Sequence, residues 1–142
     1  MGYDMEMVVL KKKSLEEMKK LLPGCTFKDL YKDFLFTRLY PDLYEFSEDE
    51  KGRVITFSSK NIFRDFFEPK LENDEAIIID EETYNRMLCW LEEKLKSKTL
   101  YDYTYDENCD YLEFETMIRV YKQMKAEKIV YETEFVVYQH DW

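Results

Sequence analysis

The segment Ile129–Tyr138 reads IVYETEFVVY, and it predicts the fold more directly than any other stretch. Successive side chains of a strand point to opposite faces, so this segment divides into an odd-numbered and an even-numbered set. Both sets contain several apolar side chains, which is typical of a strand buried on both faces. We therefore expect Ile129–Tyr138 to be central in a sheet or to lie beside the N-terminal strand, where it would anchor the end of the chain.

Tyr3–Leu10 is the predicted N-terminal strand. Its pattern places Asp4 and Glu6 on a solvated face, which predicts a half-buried strand. The opposite, apolar face would carry Tyr3, Met5, Met7 and Val9.

Shorter runs complete the predicted sheet. Leu43–Phe46 and Val54–Phe57 flank the charged segment Ser47–Arg53, which predicts a β-hairpin with a charged tip. Ala76–Ile79 is either a buried strand or the lead-in to a helix. Leu100–Tyr105 alternates as a strand would.

Helices are predicted between these strands. Ser14 and Glu17 form a capping box that would open the first helix, and Pro23-Gly24 would end it. Thr26 with Asp29 would begin a second helix. Ser58 or Ser59 would cap a short helix whose inward residues are Ile62, Phe63, Phe66 and Phe67.

Two longer helices follow. Asp80 is a good N-cap for a helix over Glu81–Lys96, because its carboxylate can accept hydrogen bonds from the first backbone N–H groups. The apolar stripe of that helix would be Tyr84, Met87, Leu88, Leu91 and Leu95. A further helix would begin at Asn108 or Asp110 and end near Ala126. Its inward residues would be Phe114, Met117, Ile118, Tyr121 and Met124.

This order of elements lacks the regular strand–helix alternation of a doubly wound parallel sheet. It predicts the α+β class, with a largely antiparallel sheet and helices mainly on one face. At 142 residues with few glycines and prolines, the chain is expected to form a single domain over residues 1–142.

The charge of the chain is unevenly distributed. The net charge is −10, and residues 1–70 carry 13 acidic and 13 basic side chains, so they contribute nothing to it. Residues 71–142 carry 18 acidic and 8 basic side chains and account for all of it. Direct binding to duplex nucleic acid is disfavoured, since it needs clustered Lys and Arg. An acidic surface instead attracts basic protein surfaces, although it can also serve solubility alone.

The acidic half is centred on Thr99–Thr116, which contains six carboxylates, four tyrosines and no Lys or Arg. Carboxylates spaced along a strand or helix can imitate a row of phosphates, and tyrosines are common interface anchors. The predicted partner-binding residues are Tyr101, Asp102, Tyr103, Tyr105, Asp106, Glu107, Asp110, Tyr111 and Glu113. The alternative is that the tyrosines belong partly to the core and that the acids are its solvated side.

Signatures of catalysis and metal binding are weak. His140 beside Asp141 could be half of a catalytic pair, but no matching nucleophile is recognisable, so a structural role is favoured. Asp106 and Asp110 imitate the start of a calcium-binding loop, but Tyr111 stands where that loop needs glycine. Three scattered cysteines, Cys25, Cys89 and Cys109, suit free thiols in a reducing compartment. We therefore expect no enzyme activity, no cofactor and no metal.

The sequence thus predicts a cytoplasmic, non-enzymatic protein that inhibits or sequesters a basic, nucleic-acid-handling protein. The composition resembles that of small acidic α+β proteins from bacteria and their viruses, among them inhibitors of host defence and immunity proteins. That resemblance implies action by binding, in a bacterial cell or a phage-infected host, and assigns no residue. The alternative is a small-ligand (nucleotide-like) binding or sponge protein with an aromatic pocket. No membrane segment is expected, and a homodimer is possible.

Overall fold

A computed structural model of the chain describes residues 5–21, 23–24, 53–58, 62–63, 65–67, 71, 76–97 and 110–140. The strands of this part are β1 (Met5–Lys11), β2 (Arg53–Ser58), β3 (Ala76–Ile79) and β4 (Glu134–His140). Its helices are α1 (Lys12–Leu21), α2 (Glu81–Ser97) and α3 (Asp110–Ala126).

The four strands form an antiparallel sheet in the order β2-β1-β4-β3. β1 and β4 pair over their whole length, from Met5 opposite His140 to Lys11 opposite Glu134. β4 is therefore both central and adjacent to β1, as the sequence predicts. The α+β class with an antiparallel sheet is confirmed.

β1 is buried on both faces, so the half-buried prediction is wrong. Met7 and Val9 face the helices, and Val8 and Leu10 on the opposite face are also almost fully buried. The charged Glu6 suggested a solvated face, but it is the exception on that face and is itself only partly exposed. The apolar side chains that remain open on this face lie on the outer strands, at Val54, Phe57 and Ile78.

The helix α2 forms as the sequence predicts. The side chain of Asp80 accepts a hydrogen bond from the backbone N–H of Thr83 at 2.8 Å, and the backbone carbonyl of Asp80 accepts one from Tyr84 at 2.9 Å. These bonds satisfy N–H groups that have no partner within the helix. Tyr84, Met87 and Leu91 are buried, and the rest of the predicted stripe is partly buried.

The helices α2 and α3 pack on the same face of the sheet. Met117, Val120 and Met124 of α3 join the core, although Val120 is absent from the predicted inward set. The hydroxyl of Tyr84 donates a hydrogen bond to the carbonyl of Met124 at 2.7 Å and joins the two helices. Burial raises the pKa of this hydroxyl. The sheet side of this core comes from all four strands, with Ile55 as the contribution of β2. An aromatic cluster of Phe63, Phe67 and Tyr138 lies within the core.

β4 begins five residues later than the predicted strand and continues to His140. Residues 131–133 form a turn, in which the N–H groups of Thr133 and Glu134 both donate to the carbonyl of Val130. Ile129 and Tyr131 pack against the core from this connection. Their alternation therefore reflects contacts made by a turn, and the sequence pattern could not distinguish it from a strand.

The first helix also differs from its prediction at one end. α1 begins at Lys12, so Ser14 lies in its first turn and the predicted capping position is wrong. Its end at Pro23-Gly24 is confirmed, since Gly24 has a φ of 93°. That left-handed conformation favours glycine because other residues meet a steric penalty there.

Ser58 is the last residue of β2, and residues 62–63 and 65–66 form turns in place of the short helix that the sequence predicts. Ile62, Phe63 and Phe67 are buried there, as their aromatic and apolar character predicts. The helix predicted from Thr26 and the strands predicted over Leu43–Phe46 and Leu100–Tyr105 lie outside the described residues.

Candidate interaction surface

The predicted partner-binding residues are only partly within the described chain. Tyr101, Asp102, Tyr103, Tyr105, Asp106 and Glu107 lie outside the described residues. Asp110, Tyr111 and Glu113 lie in the first turn of α3, which confirms the helix start at Asp110. The division of the acidic stretch between core and surface therefore stays a prediction.

An exposed acidic group lies at the start of α2. Asp80, Glu81 and Glu82 are consecutive and all exposed, and they belong to the acidic half of the chain. The side chain of Tyr131 lies near them: burial, followed by the negative charges of Glu81 and Asp80, raises its pKa to about 12. Negative charge at a helix start is favourable, because the helix dipole is positive there.

Beside this group, a shallow groove of about 460 Å³ runs along the outer side of α2. Its lining is more apolar than polar. Its residues are Phe66, Glu82, Asn85, Arg86, Cys89, Trp90 and Glu93.

The floor of the groove is aromatic. The ring centroids of Phe66 and Trp90 are 6.0 Å apart at an interplanar angle of 73°, and Phe63 supports Trp90 from the core at 5.8 Å. Edge-to-face contacts of this kind stabilise aromatic pairs and hold their rings in place. Phe66 and Trp90 are both half-buried, so each ring is anchored in the core and still reaches the groove.

Cations of α2 lie over both rings. The guanidinium of Arg86 lies 5.6 Å from the centroid of Phe66, and the ammonium of Lys94 lies 5.4 Å from that of Trp90. Such contacts contribute roughly 0.5–1 kcal/mol at exposed sites. The groove therefore combines a fixed aromatic floor with charged side chains along the outer face of the helix.

The exposed face of α3 differs in charge from the acidic half as a whole. Arg119, Lys122 and Lys125 are exposed on it, and Lys128 follows the helix. The amide oxygen of Gln123 accepts hydrogen bonds from Arg119 at 3.1 Å and from the hydroxyl of Thr56 at 2.7 Å, which fixes this face to β2. The exposed cations of α3 therefore contrast with the exposed acidic group at the start of α2.

His140 is held inside the protein. Its side chain is buried, with Nε2 3.4 Å from the carbonyl of Leu71 and Nδ1 3.0 Å from the hydroxyl of Tyr138. A proton on Nε2 would donate to Leu71, and Nδ1 would then accept from Tyr138. Burial raises the pKa of the Tyr138 hydroxyl, so that hydroxyl stays protonated and able to donate. This geometry supports the structural reading of His140.

A charge cluster joins β1, β2 and the start of β4. The carboxylate of Glu134 is 2.6 Å from the guanidinium of Arg53 and 3.3 Å from the ammonium of Lys11, and it accepts the N–H of Val130 at 3.0 Å. Arg53 also bonds the carboxylate of Glu127. Together these contacts, led by the hydrogen bond from Arg53, lower the pKa of Glu134 to about 2.

Two features of other protein classes are absent from the described residues. No group of three or more His, Cys, Asp or Glu side chains there is arranged to hold a metal ion. Nor does that part of the chain contain a helix long and apolar enough to cross a membrane.

The aromatic groove was not predicted from the sequence. Phe66 follows β2 and Trp90 lies on α2, and no local pattern indicates that they meet. Trp90 did offer one signal, because it lies off the predicted apolar stripe of the helix. A large aromatic residue in that position is a candidate for an interface.

The chain matches no family model, and no curated protein or solved structure shows significant similarity to it.

Proposed function

We propose that this protein acts by binding, and that its acidic half inhibits or sequesters a basic protein that handles nucleic acid. The uneven charge is the observation that carries the proposal, since all of the net charge of −10 arises from residues 71–142. The proposal places the protein in the cytoplasm of a bacterial cell or of a phage-infected host.

The described residues support this proposal in two ways. Asp80, Glu81 and Glu82 are exposed as a group, so part of the acidic excess is available to a partner. His140, the one histidine of the chain, is buried and bonded within the core. These contacts give His140 a structural role within the core.

The first test is a salt titration of binding. The partner is captured from a lysate of the native host at low salt and purified, and its dissociation constant is then measured between low and physiological salt. The key variant combines Asp102→Asn, Asp106→Asn, Glu107→Gln and Asp110→Asn. We expect binding to weaken by about tenfold or more, with a smaller dependence on salt, because long-range attraction is lost.

A matched variant controls for the change in net charge. It combines Asp4→Asn, Glu16→Gln, Asp29→Asn and Asp33→Asn, which neutralises four acids of the balanced half. This variant should bind nearly as well as the wild type. Equal losses in both variants would mean that only net charge matters, and no loss in the key variant would rule out the proposed surface.

A nucleotide-like ligand is the second candidate, and the groove beside α2 is the observation that favours it. Phe66 and Trp90 could stack on a base, and Arg86 could contact a phosphate. Glu82 and Glu93 in the same groove would repel that phosphate, so we rank this function second. A thermal-shift screen with nucleotides distinguishes the two: a rise of several degrees favours the ligand, and a flat screen argues against it.

A further inference from the structure

We propose that the outer face of α2 is a docking site for a second copy of this chain. Two α2 helices would pack antiparallel across the groove, around a twofold axis that passes close to Cys89. The dimer does not require a basic partner, and of the exposed acidic group at the start of α2 it uses only Glu82.

The order of charges along α2 is self-complementary. Its outer face carries, from the start of the helix to its end, Glu82, Arg86, Cys89, Glu93 and Lys96, and all of them are exposed. Acidic and basic residues therefore alternate on either side of Cys89. An antiparallel neighbour centred at Cys89 would place Arg86 opposite Glu93 of the second copy, and Glu82 opposite Lys96 of the second copy.

A twofold axis doubles each of these contacts. In an isologous interface the same surface is used by both copies, so every pairing occurs twice. Four ion pairs would thus surround the axis. Lys96 now pairs with Glu92 at 3.0 Å, but both side chains are substantially exposed, and such a pair contributes little and is easily exchanged.

The groove supplies the apolar centre that an interface needs. Phe66 and Trp90 are held by the core and open into the groove at the level of Cys89. Half-buried aromatic anchors inside a ring of charged residues are typical of the energetic centre of an interface. The small side chain of Cys89 at the axis would let the two helices approach closely.

The net charge of the chain opposes dimer formation, so the dimer must be measured at a salt concentration that screens this charge. Two copies that each carry a charge of −10 repel one another over long distances. At physiological salt this repulsion is screened beyond about 8 Å, whereas contacts inside the interface are screened much less. The dimer should therefore be weak at low salt and stronger at physiological salt.

Charge reversal tests the pairing. Sedimentation of the wild type at physiological salt should show a monomer–dimer equilibrium as its concentration rises from micromolar to near-millimolar. Arg86→Glu or Glu93→Arg alone should weaken the dimer by about tenfold, since each places like charges together twice. The double variant restores opposite charges and should return to within about threefold of the wild type.

Cross-linking tests the position of the axis. Packed helices lie about 8–10 Å apart, so a short bismaleimide should join Cys89 of one copy to Cys89 of the second. The experiment uses a Cys25→Ser, Cys109→Ser variant, in which Cys89 is the remaining cysteine. Cys89→Ser in that background should abolish the product, and Arg86→Glu should reduce it.

Three outcomes would overturn the proposal. They are a wild type that stays monomeric over the whole concentration range, a dimer that withstands both single reversals, and a dimer in which Cys89 does not cross-link. Arg86, Cys89 and Glu93 are exposed, so their substitution should retain the fold, and circular dichroism of every variant verifies it. Binding of the wild type to a basic protein is measured separately. The dimer and the binding of a basic partner can therefore fail independently.

Discussion

At the level of single residues, Glu134 makes the most consequential polar contacts of the described chain. Its side chain is only 4% exposed, and it joins the first residue of β4 to β2 through Arg53 and to β1 through Lys11. A buried carboxylate is costly unless charged partners and hydrogen bonds compensate it. Here Arg53, Lys11 and the N–H of Val130 supply that compensation.

The lowered pKa of Glu134 predicts a loss of stability in acid. The pKa is about 2 in the folded protein and about 4.5 when the group is unperturbed, so the unfolded chain binds the proton more readily. The contribution of Glu134 is therefore present above pH 4.5 and is lost as the pH falls towards 2. It amounts to at most about 3 kcal/mol, and the 42% exposure of Arg53 reduces it through solvent screening.

Glu134→Gln tests this contribution. Urea unfolding at neutral pH should show a loss of about 2 kcal/mol, because Arg53 and Lys11 lose their shared anion. The variant should also lose less stability than the wild type between pH 4.5 and pH 2.5. Glu132→Gln, at an exposed neighbouring position, should leave both quantities nearly unchanged. An identical acid response in wild type and Glu134→Gln would contradict the assignment.

At the level of elements, α2 depends on its N-cap. Asp80→Ala removes the carboxylate that accepts the N–H of Thr83, and it should lower the melting temperature by roughly 3 to 5 °C. Asp80→Asn keeps an acceptor at the same place and should retain most of that stability. The charge is lost in both variants, so equal losses would show that charge, and not the hydrogen bond, stabilises the helix start.

A sequence prediction succeeds here when all the residues that determine the element lie in one continuous segment. α2 could be predicted because Asp80 and an apolar stripe ending near Leu95 both lie within one continuous segment. The start of β4 could not, because the turn at residues 131–133 presents Tyr131 to the core with the same alternation as a strand. Likewise, Val8 and Leu10 are buried on a face that Glu6 made look solvated.

The acidic part of the candidate surface could be predicted from the sequence, whereas the aromatic groove could not. The acidic excess of residues 71–142 can be counted from the sequence, and Asp80–Glu82 is part of it. The groove could not be predicted, since Phe66 and Trp90 are 24 positions apart and meet through tertiary packing alone. The order of charges along α2 can be read from the sequence. It predicts a self-complementary surface only after the structure shows which residues of the helix are exposed.

At the level of the whole molecule, the two central strands come from opposite ends of the chain. Met5 is paired with His140, so the first and the last described residues of the chain lie side by side. A short flexible link between them should therefore be tolerated, provided that the chain is reopened at an exposed turn.

A circular permutant tests this arrangement. A Gly/Ser linker joins Trp142 to Met1, and the chain is reopened after the exposed Gly24. We expect a cooperative unfolding transition with a melting temperature within about 5 °C of the wild type. Deletion of residues 134–142 is the comparison, and it should abolish the transition because β1 and β3 both lose their pairing with β4. A permutant that fails to fold, despite a folded wild type, would contradict the pairing of β1 with β4.

The pairing of β1 with β4 also orders events during synthesis. A ribosome makes β1 long before β4, so Met7 and Val9 lack their β4 partners until residues 12–133 have been translated. Contacts between such distant segments slow folding and prolong the exposure of apolar strands. The central sheet is thus completed late, and the growing chain stays open to aggregation or to chaperone binding until β4 has been made.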